Sequence, residues 1–134
     1  MKKTILKAIP AAILASVCLT TAASAYIDME DSVSYSVKSD SRTWDNKNNK
    51  WAWYLNSPAG CDFSATVVSG CKANYTLYQW AFAPSEKEIL SKPNQYFNFS
   101  SYISSDYLVA DDYFARVEYV SGGINNGTVT FSKH

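Results

Sequence analysis

The segment YFARVEYVSGGINNGTVTFS, residues 113–132, decides the fold class of this 134-residue chain. Two of its parts alternate between apolar and polar residues, which is the pattern of strands with one buried face. The buried face is predicted to hold Tyr113, Ala115, Val117, Tyr119, Val129 and Phe131. Between the two parts, Asn126-Gly127 is a strong signal for the two-residue turn of a β-hairpin. The sequence therefore predicts two neighbouring strands joined by a tight turn.

Further strands are predicted upstream of this pair. Asp31 to Lys38 alternates in the same way, and Lys50 to Leu55 and Ala73 to Phe82 are rich in aromatic residues. One helix signal follows the third strand, where Ser85 and Glu88 have the spacing of a capping box. Five main strands with one short helix are typical of a mainly β, five-stranded Greek-key barrel of the OB type. A β-sandwich is the alternative.

The amino terminus has the three parts of a secretory signal peptide. Lys2, Lys3 and Lys7 give a positive start, Ile5 to Thr20 is mostly apolar, and Ala23-Ser24-Ala25 offers a cleavage site. We therefore expect residues 1–25 to be removed and residues 26–134 to form a single domain that is secreted or periplasmic.

Composition restricts the partners of this mature part. It carries nine basic and 12 acidic residues, a net charge of −3, and has no basic patch, so nucleic acid is not an expected partner. All 20 aromatic residues lie in it, about twice the usual density. They fit either a β-rich core or an exposed binding surface, and the sequence leaves both interpretations open.

Cys61 and Cys71 are the two cysteines of the mature part, and a secreted protein is expected to join them in a disulfide. A straight strand between them would hold them roughly 30 Å apart, so the bond requires the segment from Asp62 to Ser69 to fold back. The two cysteines with His134 cannot complete a zinc site.

Catalytic chemistry has little support. His134 is the one histidine and the last residue, so a Ser-His-Asp or Cys-His arrangement is not expected. Asp111-Asp112 and the pair Glu86 and Glu88 are interpreted as solvated carboxylates rather than an acid–base pair. The sequence predicts a protein that is not an enzyme and that binds no metal or cofactor.

Binding has better support, because tryptophans and polar side chains cluster between residues 44 and 54. Aromatic faces stack on sugar rings, and amides and carboxylates bond sugar hydroxyls. The predicted ligand contacts are Trp44, Asp45, Asn46, Trp51 and Tyr54. For Trp51, as for Trp53, the sequence favours an inward-facing core position over ligand contact. The predicted function is recognition of glycans on a host cell surface. The alternative is a secreted or periplasmic protein-binding module, such as an inhibitor, an immunity protein or an adhesin component.

One segment resembles a known family. The run WAFAPSEKEIL from Trp80 to Leu90, with Cys71 before it and Tyr96-Phe97 after it, is similar to the strand-to-helix junction in B subunits of subtilase-cytotoxin-like and pertussis-like toxins. The resemblance covers Cys71 to Phe97. It implies an OB-fold B subunit that assembles as a pentamer, binds sialylated glycans and delivers an enzymatic toxin subunit.

Overall fold

The computed structural model describes residues 26–27, 31–47, 52–80 and 86–134, and the predicted signal peptide lies outside them. Ten strands form in this part of the chain, together with a 3-10 helix at Ser105–Tyr107. The strands are β1 Tyr26–Ile27, β2 Ser32–Val37, β3 Thr43–Asp45, β4 Ala52–Leu55, β5 Cys61–Ala65, β6 Lys72–Gln79, β7 Lys87–Gln95, β8 Phe99–Ile103, β9 Asp111–Ser121 and β10 Asn125–Lys133. None of the described helical residues forms a helix long and apolar enough to cross a membrane.

The strands form two sheets. The first has the order β1-β4-β9-β6-β7, with β3 also paired to β9, and the second has the order β2-β10-β5-β8. All pairs are antiparallel except β1 with β4. The sheets pack face to face, since the rings of Trp53 and Tyr113 on the first lie 6.1 and 5.1 Å from that of Phe131 on the second. The mainly β prediction is confirmed. The sheets do not close into the predicted five-stranded barrel, and the arrangement is the sandwich named as the alternative.

Residues 113–132 form two strands, as predicted, but these strands do not form a hairpin. β9 belongs to the first sheet and β10 to the second, where β10 lies between β2 and β5. The chain crosses between sheets at residues 122–124, where Gly122 has a φ of +100°. Asn126 and Gly127 lie inside β10, opposite Ser36 and Tyr35. The alternating pattern identified the strands correctly, whereas the turn dipeptide misplaced the turn.

The predicted helix is also wrong where the structure describes its residues. Lys87–Gln95 is strand β7, which pairs along β6 with Leu90 opposite Leu77. Ile89 and Leu90 pack against the core from this strand. A capping-box interaction contributes only about 0.5–2 kcal/mol, and cross-strand pairing with β6 overrides it.

The expected disulfide is absent from the structure. Cys61 begins β5 of the second sheet, whereas Cys71 lies just before β6 of the first sheet. Both cysteines are buried free thiols. The chain runs through β5 as a strand instead of folding back on itself. Burial raises the pKa of the Cys61 thiol to about 11, so this side chain packs as a small neutral group.

Candidate functional site

Two of the predicted ligand contacts lie on β3. Trp44 is half-buried, packs against the core, and has its ring 6.1 Å from that of Tyr35. Asp45 is 8% exposed, with its carboxylate 3.5 Å from the Arg116 guanidinium. Trp51 lies outside the described residues. The described side chains of this short strand thus serve packing and charge pairing.

Asn46 has a structural role that the sequence did not indicate. Its side chain is fully buried, and its Oδ1 accepts a hydrogen bond from the Ala115 backbone N–H at 2.7 Å. Its own backbone N–H donates to the Ala115 carbonyl at 3.3 Å. β3 and β4 pair with the same strand, β9, on either side of this point. Asn46 therefore satisfies the backbone N–H and the backbone carbonyl of Ala115, which lies between the part of β9 that pairs with β3 and the part that pairs with β4.

Tyr54 is the exposed member of the predicted set, at 49% exposure. It pairs with Asp112 of β9, whereas Trp44 pairs with Val117. Five residues along a strand correspond to roughly 16 Å. The structure therefore does not bring Tyr54 and Trp44 onto one compact surface. Trp53, beside Tyr54, is fully buried core and donates its indole N–H to the Asp31 carbonyl at 2.9 Å.

Charged and aromatic side chains cover the outer face of the first sheet near this region. Phe114 is fully buried although it points outward, because Tyr78 stacks on it at 5.2 Å and Lys47 lies 5.3 Å from its ring centre. The Glu86 carboxylate accepts from Lys47 at 2.6 Å and lies 3.4 Å from Arg116. The hydrogen bond from Lys47 lowers the pKa of Glu86, and the Arg116 charge adds to the effect. These charges satisfy one another, which makes the cluster structural.

A groove opens at one end of the sandwich, where residues 67–72, residues 96–98 and Ser121 meet. Its volume is about 690 Å³. Its lining combines aromatic, hydroxyl, amide and cationic side chains: Val67, Ser69, Gly70, Cys71, Lys72, Tyr96, Phe97, Asn98 and Ser121. Aromatic and amide side chains, the types predicted to bind sugar between residues 44 and 54, thus occur together in this groove.

Two aromatic rings form the exposed wall of the groove. Tyr96 and Phe97 are 54% and 70% exposed, and their ring centres lie 4.6 Å apart. The Lys72 ammonium lies 5.5 Å from the centre of the Tyr96 ring. Neighbouring exposed rings form an apolar surface patch, and patches of this kind often mark interaction sites. The sequence indicated these two aromatics as part of the family resemblance and not as ligand contacts.

The opposite wall is held by close backbone packing. The Asn98 Oδ1 accepts from the Val67 N–H at 2.8 Å, which ties residues 96–98 to the loop after β5. A Cβ at Gly122 would lie 2.5 Å from the Gly70 carbonyl oxygen. Glycine at position 122 therefore permits the loop after β9 to touch Gly70, one of the residues that line the groove.

A buried polar chain anchors the same loop from below. The Asn125 side chain, fully buried, accepts from the Val68 N–H at 3.0 Å and donates to the Tyr75 hydroxyl at 3.1 Å. The Tyr75 and Tyr35 hydroxyls lie 2.6 Å apart, and that of Tyr35 donates to the Thr66 carbonyl at 2.6 Å. Burial raises the pKa of both tyrosines, so each keeps the proton that it donates. These hydrogen bonds hold the loop after β5 in place from the inside of the sandwich.

Within the described ranges, no group of three or more His, Cys, Asp or Glu side chains is placed to hold a metal ion. His134 lies elsewhere, with its Nδ1 2.8 Å from Asp62. Cys71, one of the residues that line the groove, is buried, and its thiol lies 3.5 Å from the Ile124 carbonyl.

Comparison with known proteins identifies a fold. Neither protein-family models nor curated protein sequences give a match. The structure is similar to the pre-peptidase C-terminal domain of a collagenase from Bacillus anthracis, with a TM-score of 0.60, 10% sequence identity, and coverage of 80% of this chain and 92% of that one. A periplasmic inhibitor of g-type lysozyme from Aeromonas hydrophila matches at a TM-score of 0.44 and 9% identity, over 80% of this chain and 96% of the inhibitor. Only the first of these two structures has a TM-score high enough to indicate the same fold, and at 10% sequence identity it shows a shared fold alone.

Proposed function

We propose that this chain is a secreted, non-enzymatic binding protein that recognises glycans through the groove at the end of the sandwich. The observation that carries the proposal is the pair of exposed rings, Tyr96 and Phe97, on an open groove of about 690 Å³. Ligand sites are typically concave, apolar in large part, and supplied with a few fixed polar groups.

The lining favours carbohydrate over a wholly apolar ligand. A sugar ring presents C–H groups that pack on aromatic faces, and Tyr96 and Phe97 offer two such faces next to each other. Its hydroxyls need donors and acceptors, which the side chains of Ser69, Asn98 and Ser121 supply. Lys72 adds a cation at the same wall, which favours a glycan that carries an acidic group.

A glycan array probed with the purified protein tests this function. We expect binding to a subset of glycans, and Phe97→Ala should weaken that binding at least tenfold, about 1.4 kcal/mol. The matched control is Tyr107→Ala, because Tyr107 is also 70% exposed but lies outside the groove. Both variants should keep their thermal stability within about 0.5 kcal/mol.

Two results would overturn the proposal. One is an array on which the protein binds no glycan above background. The other is equal binding by Phe97→Ala and the wild-type protein. Capture of a protein partner in either case would support the protein-binding module instead.

The family resemblance extends this proposal to a host-surface receptor and an enzymatic toxin subunit. The groove includes three of the residues used for that resemblance, Cys71, Tyr96 and Phe97. The implied OB barrel is not the arrangement of the two sheets, so the assembly has to be tested separately. Native mass measurement does so, because a B subunit of that kind is expected to be a ring of five.

A further inference from the structure

The end of the sandwich that holds the groove is formed by four segments of the chain: residues 38–42, 66–72, 93–98 and 119–125. Tyr119 ties the first segment to the last, because its N–H donates to the Arg42 carbonyl and its hydroxyl donates to the Gly122 carbonyl, both at 2.7 Å. Lys72 of the second segment pairs with Ser121 of the last. We call this surface the groove end. β9 arrives here and β10 departs from here, so the residues before β9 and after β10 lie at the opposite end.

Exposed apolar side chains project from two loops of the groove end. Tyr96 and Phe97, between β7 and β8, are 54% and 70% exposed, and Ile124, between β9 and β10, is 55% exposed. Val67 and Val68, in the loop after β5, are half-buried. Large apolar side chains gathered on neighbouring loops form a patch that marks an interaction surface.

The groove end is positively charged, although residues 26–134 have a net charge of −3. Its four segments carry three cations and one carboxylate: Lys38, Arg42, Lys72 and Asp40. The Lys72 ammonium lies 5.5 Å from the centre of the Tyr96 ring, and the Arg42 guanidinium lies 5.1 Å from that of Tyr119. Cations are therefore placed at the border of the apolar patch, on a domain that is otherwise acidic.

We infer that the groove end attaches the protein to a membrane surface that contains anionic lipids, where Ile124 and Phe97 enter the headgroup region. Apolar side chains gain free energy when they leave water, and aromatic rings favour the interface between water and hydrocarbon. Anionic headgroups attract the Lys and Arg side chains at the border. The apolar side chains stand on separate loops, so a fluid surface that adapts to them is favoured over a protein partner, whose surface would have to match each loop.

The inference does not rest on glycan binding by the groove. Phe97 takes part in both proposals, but Ile124 and Arg42 are not among the residues that line the groove. Vesicles of pure phospholipid carry no glycan. Ile124→Asp should therefore lose vesicle binding and keep the glycan binding of the wild-type protein, which separates the failure of one proposal from the failure of the other.

Cosedimentation with phospholipid vesicles tests the attachment. The purified protein should bind vesicles of phosphatidylcholine and phosphatidylglycerol in equal parts, and should bind phosphatidylcholine alone at least tenfold more weakly. Ile124→Asp should weaken binding to the mixed vesicles at least tenfold, because a carboxylate replaces an apolar side chain beside anionic headgroups. Ile124→Ser should act in the same direction without an added charge. Val109→Asp is the matched control, because Val109 is 49% exposed at the opposite end.

A second pair of variants tests the charges. Arg42→Gln should weaken binding to the mixed vesicles about fivefold and leave binding to phosphatidylcholine unchanged. Lys133→Gln is its control, because Lys133 is exposed at the opposite end. Thermal unfolding checks that every variant is folded.

Three results would overturn the inference. The wild-type protein does not sediment with the mixed vesicles, or both Ile124 variants bind them as it does, which would indicate attraction by charge alone. The third is an equal loss of binding in Val109→Asp and Ile124→Asp, which would show that the groove end is not the attached surface.

Discussion

Two aromatic regions of this protein have similar composition and opposite environments. Between residues 44 and 54, Trp53 is fully buried and Trp44 is half-buried against the core. Between residues 96 and 109, Tyr96, Phe97 and Tyr107 are more than half exposed. The first region supplies β3 and β4, which pair with the long strand β9, whereas the second consists of an outer strand and two loops. Position within the sheets decides whether an aromatic side chain stabilises the core or remains exposed.

The largest effect should follow from shortening a buried ring of the first region. Trp53→Ala removes a side chain that packs on Phe131 and donates to the Asp31 carbonyl, so we expect a loss of about 3–5 kcal/mol in unfolding free energy. Urea denaturation measures it, and Phe97→Ala is the exposed counterpart that should change stability little. Equal stability of the two variants would remove the distinction between the regions.

The next effect concerns the contact between the loop after β9 and Gly70. Gly122→Ala places a Cβ 2.5 Å from the Gly70 carbonyl at a φ of +100°, and should cost about 2–4 kcal/mol from backbone strain and steric overlap. Gly123→Ala is the matched control, because a Cβ there meets nothing within 4 Å. Thermal unfolding of both variants decides the matter. A stable Gly122→Ala protein would show that this contact is not as close as described.

The alternation in residues 113–132 was enough to predict two strands and their buried faces, because a period of two is set by the strand itself. It could not reveal that β9 and β10 lie in different sheets, since sheet membership depends on partners distant in sequence. The capping box failed for the same reason: Leu77 and its neighbours on β6 determine the conformation at Leu90. The sequence of the tryptophan cluster does not indicate which of its rings are buried. Asn46 gave no signal, because its partner Ala115 is 69 residues away.

Asn46 sharpens the comparison, because it tests whether a polar residue of the first region serves the fold. Asn46→Ala leaves the buried Ala115 N–H without its side-chain acceptor and should cost about 1–3 kcal/mol. The control is Asn126→Ala, at an exposed position of β10. Chemical denaturation should separate the two variants. If Asn46→Ala is as stable as its control, the side chain becomes available again as a predicted ligand contact.

A smaller effect is expected from the charged cluster beside the first region. Lys47 and Arg116 lower the pKa of Glu86, so the stabilisation is present above the unfolded-state pKa and is lost as the pH falls through the lower folded-state pKa. Glu86→Gln should therefore be less stable by about 0.5–1 kcal/mol near neutral pH. The difference should shrink as the pH falls below the unfolded-state pKa of about 4.3 and vanish below the lowered folded-state pKa. Unfolding measured from pH 7 to pH 2.5 tests this sign. Glu88→Gln, at an exposed carboxylate of β7, is the control, and an equal pH dependence of both variants would contradict the assignment.

The smallest change in stability belongs to Tyr54, and it decides which region binds. Tyr54 is 49% exposed on β4, so Tyr54→Ala should alter unfolding free energy by no more than about 0.5 kcal/mol. If the groove is the glycan site, this variant binds every glycan as the wild-type protein does, whereas Phe97→Ala does not. The reverse outcome, loss of binding in Tyr54→Ala with full binding in Phe97→Ala, would return the site to residues 44–54. Trp44 cannot make this distinction as cleanly, because a half-buried ring that packs on Tyr35 affects folding and binding together.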